Sequence, residues 1–126
     1  PVHGSGGQVR TLGHVQDVAG DIVRLALGRE LPVGPLNLGG DLRCTVLELA
    51  TRVAQLAGRD LSCLQHVDPT RTLDPHFEEV QHRVPDLTRA RGLGLAAHHC
   101  NLDEVIGECM QWAEQETIHT CASPAS

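Results

Sequence analysis

The chain has no lysine and no tyrosine, and one phenylalanine and one tryptophan among 126 residues. A site that needs a phenolic base or a lysine ammonium is not assembled from these residues alone. All ten basic residues are arginines, scattered along a chain of net charge −6, which argues against binding along a polyanionic backbone and excludes nucleic acid as a partner. No apolar run approaches the roughly 18 residues of a membrane span, and no basic-then-apolar leader opens the sequence. The expectation is a soluble protein without a membrane span. The five cysteines, Cys44, Cys63, Cys100, Cys109 and Cys121, are odd in number and form no C-x-x-C pair. Neither a zinc knuckle nor a disulfide framework follows, and a reducing, cytoplasmic setting is the simpler inference. His98, His99 and Cys100 are the densest group of metal-capable side chains, but neighbours in sequence point different ways and no second pair stands at ligand spacing. No metal site is expected.

What is present alternates between strand and helix signals. "QVRTLGHV" (8–15) is an extended candidate after the glycine-rich "HGSGG". Val15, Val18, Ala19, Ile22, Val23, Ala26 and Leu27 then recur at helical spacing up to Gly28. "GPLNLGG" (34–40) reads as a short buried strand. Thr45 and Glu48 have capping-box spacing ahead of a helical stripe, Val46, Leu49, Ala50, Val53, Leu56 and Ala57, with Gly58 placed to stop it. The helices at 16–27 and 45–57 are expected to pack their apolar faces together. "LSCLQHV" (61–67) resembles a third strand. Asn101 and Glu104 repeat the capping-box spacing before a last helix carrying Leu102, Val105, Ile106, Cys109, Met110 and Ala113. The tail after Thr117 shows no periodic pattern, which sets an expected boundary between 1–117 and a flexible 118–126.

The segment from Asp68 to Pro85 is polar, contains three prolines and is too long for an ordinary connection. It ends at Arg83, two residues before a Pro-Asp step at which Asp86 is placed to cap a helix running to about Leu93. An arginine beside a helix N-terminus makes a local anion site, because the unpaired N–H groups there carry partial positive charge. The alternative is a solvated loop arginine.

The order of "VHGSGGQVRTLGHVQDVAGDIVRLAL", "GPLNLGGDLRCTVLELATRVAQLAG", "HRVPDLTRARGLGL" and "NLDEVIGECMQWAEQE" resembles the C-terminal part of the extended short-chain dehydrogenases that act on nucleotide sugars. Among these it is most similar to UDP-glucuronate decarboxylases, with epimerases and dehydratases close behind. The resemblance runs from about Val2 to Glu116. It implies an α/β fold of about four helices and two or three short strands, completing the substrate side of an enzyme whose N-terminal Rossmann half holds NAD. It also implies that Arg10 and Arg83 contact the diphosphate of a nucleotide sugar, a UDP-sugar first among the candidates. A guanidinium suits that task because it makes paired charge-assisted bonds in a fixed plane. Asp86 would either touch a ribose hydroxyl or serve as a helix cap.

The sequence departs from the family at several points. His14 and Leu12 stand near positions where aromatics are common, and Leu95 replaces a tryptophan. "DPTR" (68–71) resembles a run normally placed just before the Arg-x-Pro-Asp step, yet about eleven residues intervene, so Arg71 rivals Arg83. The family's Tyr-x-x-x-Lys pair and its glycine-rich dinucleotide turn are not in this sequence; "GSGG" (4–7) precedes an extended segment rather than a helix. The resemblance therefore places both on a preceding segment, and no cofactor is expected for this chain alone. Two readings follow. One is the substrate-binding portion of an NAD-dependent nucleotide-sugar enzyme, and the other a non-catalytic nucleotide-sugar-binding or interaction module descended from one.

Overall fold

The computed structural model describes residues 1–28, 32–72, 78–96 and 101–121, with side chains described as far as Gln115 in the last segment and Thr72 described by backbone only. Within them the fold is mixed α/β. Two short parallel strands, β1 (Val2–His3) and β4 (His66–Val67), form one sheet, and the other has the order β3-β2-β5. Its central strand β2 (Val9–Leu12) pairs antiparallel with β3 (Leu42–Thr45) and parallel with β5 (His82–Arg83). The helices are α1 (Val15–Leu27), α2 (Val46–Leu56), α3 (Pro69–Thr72), α4 (Thr88–Gly92) and α5 (Leu102–Cys121).

Helix α2 begins where strand β3 ends, at Thr45. The Thr45 Oγ1 accepts from the Glu48 amide at 3.1 Å, and the Glu48 Oε2 accepts from the Thr45 amide at 2.7 Å. This is the anticipated capping box, and the Thr45 bonds hold the Glu48 carboxyl below its ordinary pKa. The next two donors are also satisfied. Val46 N–H donates to Gln8 O at 3.1 Å and Leu47 N–H to Gly6 O at 2.9 Å. The glycine-rich turn thus offers its carbonyls to a helix N-terminus, and a Cβ on Gly6 would stand 2.7 Å from Val2 Cγ1. At the far end Gly58, with φ +62°, stops the helix as its position suggested.

Three sequence expectations are corrected. Residues 34–40 do not form a strand; the pairing begins at Leu42, because Gly39 and Gly40 cross the backbone of Gly13. A Cβ on Gly40 would lie 2.0 Å from Leu12 O, so only glycine permits that approach. The "LSCLQHV" stretch is divided between a 3-10 turn at Leu61–Cys63 and β4. The third correction concerns α1, whose apolar side does not pack on α2. Val15 is 74% exposed and Leu27 81%, while α2 packs against α5 and β3.

Helix α1 instead turns inward the stripe Asp17, Val18, Asp21 and Leu25, positions that share a face at helical spacing. Asp21 is only 1% exposed, and its Oδ2 accepts from the Ala96 amide at 2.9 Å. That bond holds Ala96 at φ +58°, a left-handed conformation unfavourable for a residue with a Cβ. Leu87, Ala90, Leu95 and Ala96 form the core cluster here, with Leu25, Leu36 and Leu38 against it. Arg89 Nη1 donates to Pro35 O at 2.7 Å, tying the 33–36 segment to α4.

Helix α5 is preceded by Asn101, whose Oδ1 accepts from Asp103 N–H at 3.0 Å while its Nδ2 donates to Glu104 Oε1 at 3.2 Å. Arg52 of α2 forms a two-pronged ion pair with Asp103. Both partners are partly exposed, so the apolar contacts around Ala54, Val105 and Ile106 contribute more to this packing. The helix extends to Cys121, past the expected boundary at 117. Residues 122–126 lie outside the described part.

Asp21→Ala should leave the buried Ala96 amide unsatisfied and cost about 1–3 kcal/mol. Gly40→Ala should cost at least as much, about 1–3 kcal/mol or more, because backbone must move to admit the Cβ. Urea unfolding midpoints measure both, and wild-type stability in either variant would contradict this packing.

Candidate functional site

Strand β2 sets the geometry of the candidate residues. Arg10 stands in register with Arg83 on β5 and with Cys44 on β3. Register neighbours share a sheet face, so the two arginines lie side by side on adjacent strands about 4.8 Å apart. Cys44 is buried on that face, and burial first and Glu48 second push its thiol pKa up.

The two arginines differ in their engagement. Arg10 Nη1 donates to Val9 O and Val80 O, each at 2.9 Å, and its Nη2 pairs with Glu79 Oε1 at 3.0 Å. The Arg83 side chain is exposed and its guanidinium has no hydrogen-bond or ion-pair partner among the described residues. Its carbonyl accepts from Thr11 Oγ1 at 3.3 Å.

A cleft of about 320 Å³ opens on the other face of the sheet, where alternation turns Thr11 and Arg43. Asp41, Asp86, Thr88 and Arg91 complete its polar lining. Arg91 is already paired with Asp41, whereas the Arg43 guanidinium has no partner among the described residues. The cleft therefore lies across the sheet from the two in-register arginines and not between them.

Asp86 occupies the helix end that the sequence offered as an anion site. Its Oδ1 accepts from Thr88 N–H at 2.9 Å, and its carbonyl accepts from Asn37 Nδ2 at 3.0 Å. The carboxylate thus takes one of the donors an external anion would use. With five residues α4 is also too short to sum much of a dipole. What remains of the Arg83 argument is its place beside Arg10. Arg71 sits in α3 after the other sheet, 86% exposed, with Nε 3.8 Å from Asp68 Oδ2. Asp68 itself accepts from Thr70 Oγ1 at 2.7 Å and from Thr70 N–H at 2.9 Å, which lowers its pKa.

His14 is buried, with Nε2 3.0 Å from Glu108 Oε2, joining the start of α1 to α5. No group of three or more metal-capable side chains occurs among the described residues. His98, His99 and Cys100 lie outside them. Sequence reasoning missed Glu79, Arg43 and Arg91. For Arg43 the alternation of "LRCT" was an available signal once β3 was correctly bounded; for Glu79 no local pattern announced a partner 69 residues away.

Over 95 residues the chain is 35% identical to UDP-glucuronic acid decarboxylase 2 of Arabidopsis thaliana, covering 73% of this chain and 19% of that protein. UDP-glucuronic acid decarboxylase 1 of the same plant is 36% identical over 90 residues, again with 19% of its length covered. No family model matches the chain. A crystal structure of dTDP-glucose 4,6-dehydratase from Bacillus anthracis str. Ames, in complex with NAD, superposes with a TM-score of 0.69 over 91% of this chain and 34% of its own. At 19% identity that likeness concerns the fold. These likenesses are consistent with a fragment of an extended short-chain dehydrogenase. The match lies in the C-terminal part of the curated relatives, and the chain spans about a fifth of their length.

The glycine-rich turn does not fit the pyrophosphate of a dinucleotide. It directs Gly6 and Gln8 carbonyls at α2, the reverse of the N–H cradle that a pyrophosphate requires. Among the described residues no helix is long and apolar enough to cross a membrane.

The electrostatics of Asp86 give a pH test. Its carboxyl is held below the ordinary 3.8 by hydrogen bonds from the Thr88 side chain first and the Thr88 amide second, with Arg91 adding a smaller effect. A depressed folded pKa means that the contribution is present above the unfolded value and lost as pH falls through the folded one. Carboxyl-carbon NMR should show Asp86 titrating below 3.8, and Thr88→Val should move the midpoint upward. A wild-type midpoint at or above the ordinary value would contradict the geometry.

Proposed function

We propose that this chain forms the substrate-binding side of an NAD-dependent enzyme acting on a nucleotide-diphosphate sugar, with UDP-glucuronate decarboxylation as the favoured reaction. The observation that carries the proposal is the register of Arg10 with Arg83. Two guanidiniums on neighbouring strands suit the two phosphates of a diphosphate, each able to give paired charge-assisted hydrogen bonds. The identity to UDP-glucuronic acid decarboxylases supports a uridine nucleotide and this reaction. Asp86 would act from the loop after β5, its role at the ribose secondary to its bond with Thr88.

Under this reading the hydride acceptor and the general base are supplied by the N-terminal Rossmann part of the fold, the proposed partner of this portion. The 126 residues contain neither tyrosine nor lysine. What they contribute is binding and orientation, and remote contacts to a nucleotide are a source of the energy that positions a reacting sugar. A cytoplasmic setting belongs to the same proposal, and Cys44, Cys63 and Cys109 are free thiols in keeping with a reducing environment.

UDP titrated into the isotope-labelled chain at low salt should shift amides of β2 and β5. Arg83→Ala should weaken binding by about 1.5–3 kcal/mol, the value of a charge-assisted bond, while Arg71→Ala changes it little. The reverse ranking would transfer the phosphate role to Arg71. Supplied with NAD and UDP-glucuronate, the chain alone should release no carbon dioxide; turnover by the pure protein would overturn the assignment.

A further inference from the structure

We propose that Glu79 is a specificity-determining residue of the arginine pair, an internal carboxylate that fills the anion position at Arg10 until a ligand bearing two phosphates displaces it. This rests on the reading that Arg10 and Arg83 receive a diphosphate.

The bonding of Arg10 carries the inference. Val9 O and Val80 O fix its Nη1 and orient the guanidinium plane, and the Nη2 directed away from them meets Glu79 Oε1 at 3.0 Å. A phosphate oxygen would approach the same donor. The pair is partly desolvated, with side-chain exposures of 23% and 19%, so it is held more firmly than a surface ion pair. One register step away Arg83 has no such partner among the described residues. Two guanidiniums and one carboxylate leave a net positive site with half of its anion-binding capacity taken.

A single phosphate or carboxylate that competes for Arg10 offers it little that Glu79 does not already provide. A diphosphate is different, because it engages Arg83 without displacing anything and then presents its second phosphate to Arg10 at high effective concentration. A monophosphate is therefore confined to Arg83, whereas a diphosphate spans both arginines only by releasing Glu79 from Arg10. The carboxylate it releases has an exit to water, since the adjacent Glu78, Val80 and Gln81 are exposed.

Inorganic phosphate, inorganic pyrophosphate and UDP, titrated by calorimetry and NMR against wild type and Glu79→Gln, test the proposal. Glutamine keeps the size and an acceptor oxygen but removes the charge. Pyrophosphate affinity should rise about two- to fivefold in the variant, as expected for releasing a partly exposed ion pair, while phosphate affinity changes less and the preference for pyrophosphate over phosphate widens. Wild-type protein gives a second measurement that needs no variant: saturating pyrophosphate should shift the Glu79 carboxyl-carbon resonance to that of a solvated glutamate. If UDP binding depends on Arg83 but neither the Glu79 resonance nor the Glu79→Gln affinities change, this inference falls and the functional reading stands. If neither wild type nor Glu79→Gln binds UDP or pyrophosphate, both fall together.

Discussion

Strand β2 is the constraint on which the other elements depend. All four of its residues pair with β3, Val9 and Arg10 pair with β5 as well, and the strand connects the glycine-rich turn to α1. Its register decides the site. With Val9 opposite Thr45 and His82, Arg10 faces Arg83 while Thr11 turns toward the cleft across the sheet. A slip of one residue would exchange these faces and separate the arginines. The crossing of Gly13 and Gly40 guards against that slip, because the backbone approach at Leu12 is available only at one alignment.

The glycine-rich turn shows how one composition serves opposite chemistry. In a dinucleotide fold such a turn aims N–H groups at phosphate; here its carbonyls accept the first donors of α2 while Thr45 accepts the next. The difference lies in the elements downstream of the turn. Strand β2 and then α1 come after "GSGG", and α2 follows only after β3, so the turn meets the N-terminus of α2 from outside and not as its own leading loop. Strand β3 delivers Thr45 to that junction, which couples the capping of α2 to the pairing of β2.

Much of this organisation was legible in the sequence wherever a signal was local. The Thr45–Glu48 spacing, the Gly58 stop and the extended "VRTL" segment each act within a few residues and were found where they were read. The family motifs also ordered the elements correctly. Long-range choices were not legible. Periodicity showed that α1 is amphipathic but not which face meets the core, and the structure favours the stripe centred on Asp21 because that carboxylate has the Ala96 amide to satisfy. An aspartate mid-helix reads as solvent-facing until its partner, 75 residues away, is known. The same holds for Glu79, whose meaning depends on strand β5 bringing the 79–80 segment alongside Arg10.

The arginine pair is where local preference and fold disagree. Like charges directly opposite one another on neighbouring strands destabilise a sheet, and arginine at both positions gives β2 and β5 less mutual stability than a β-branched pair would. Glu79 compensates one of the two charges. Thr11 adds a bond to the Arg83 carbonyl, which steadies β5 without touching its guanidinium. The strand is thus held by its backbone while its side chain stays uncommitted. Such a residual conflict, supported by surrounding structure, is what the proposed diphosphate site would require, since functional sites are where local preference and fold disagree. Packing alone gives no reason for a second, uncompensated arginine in register with the first, and under the proposed reading a doubly charged ligand would resolve the repulsion that the fold leaves in place.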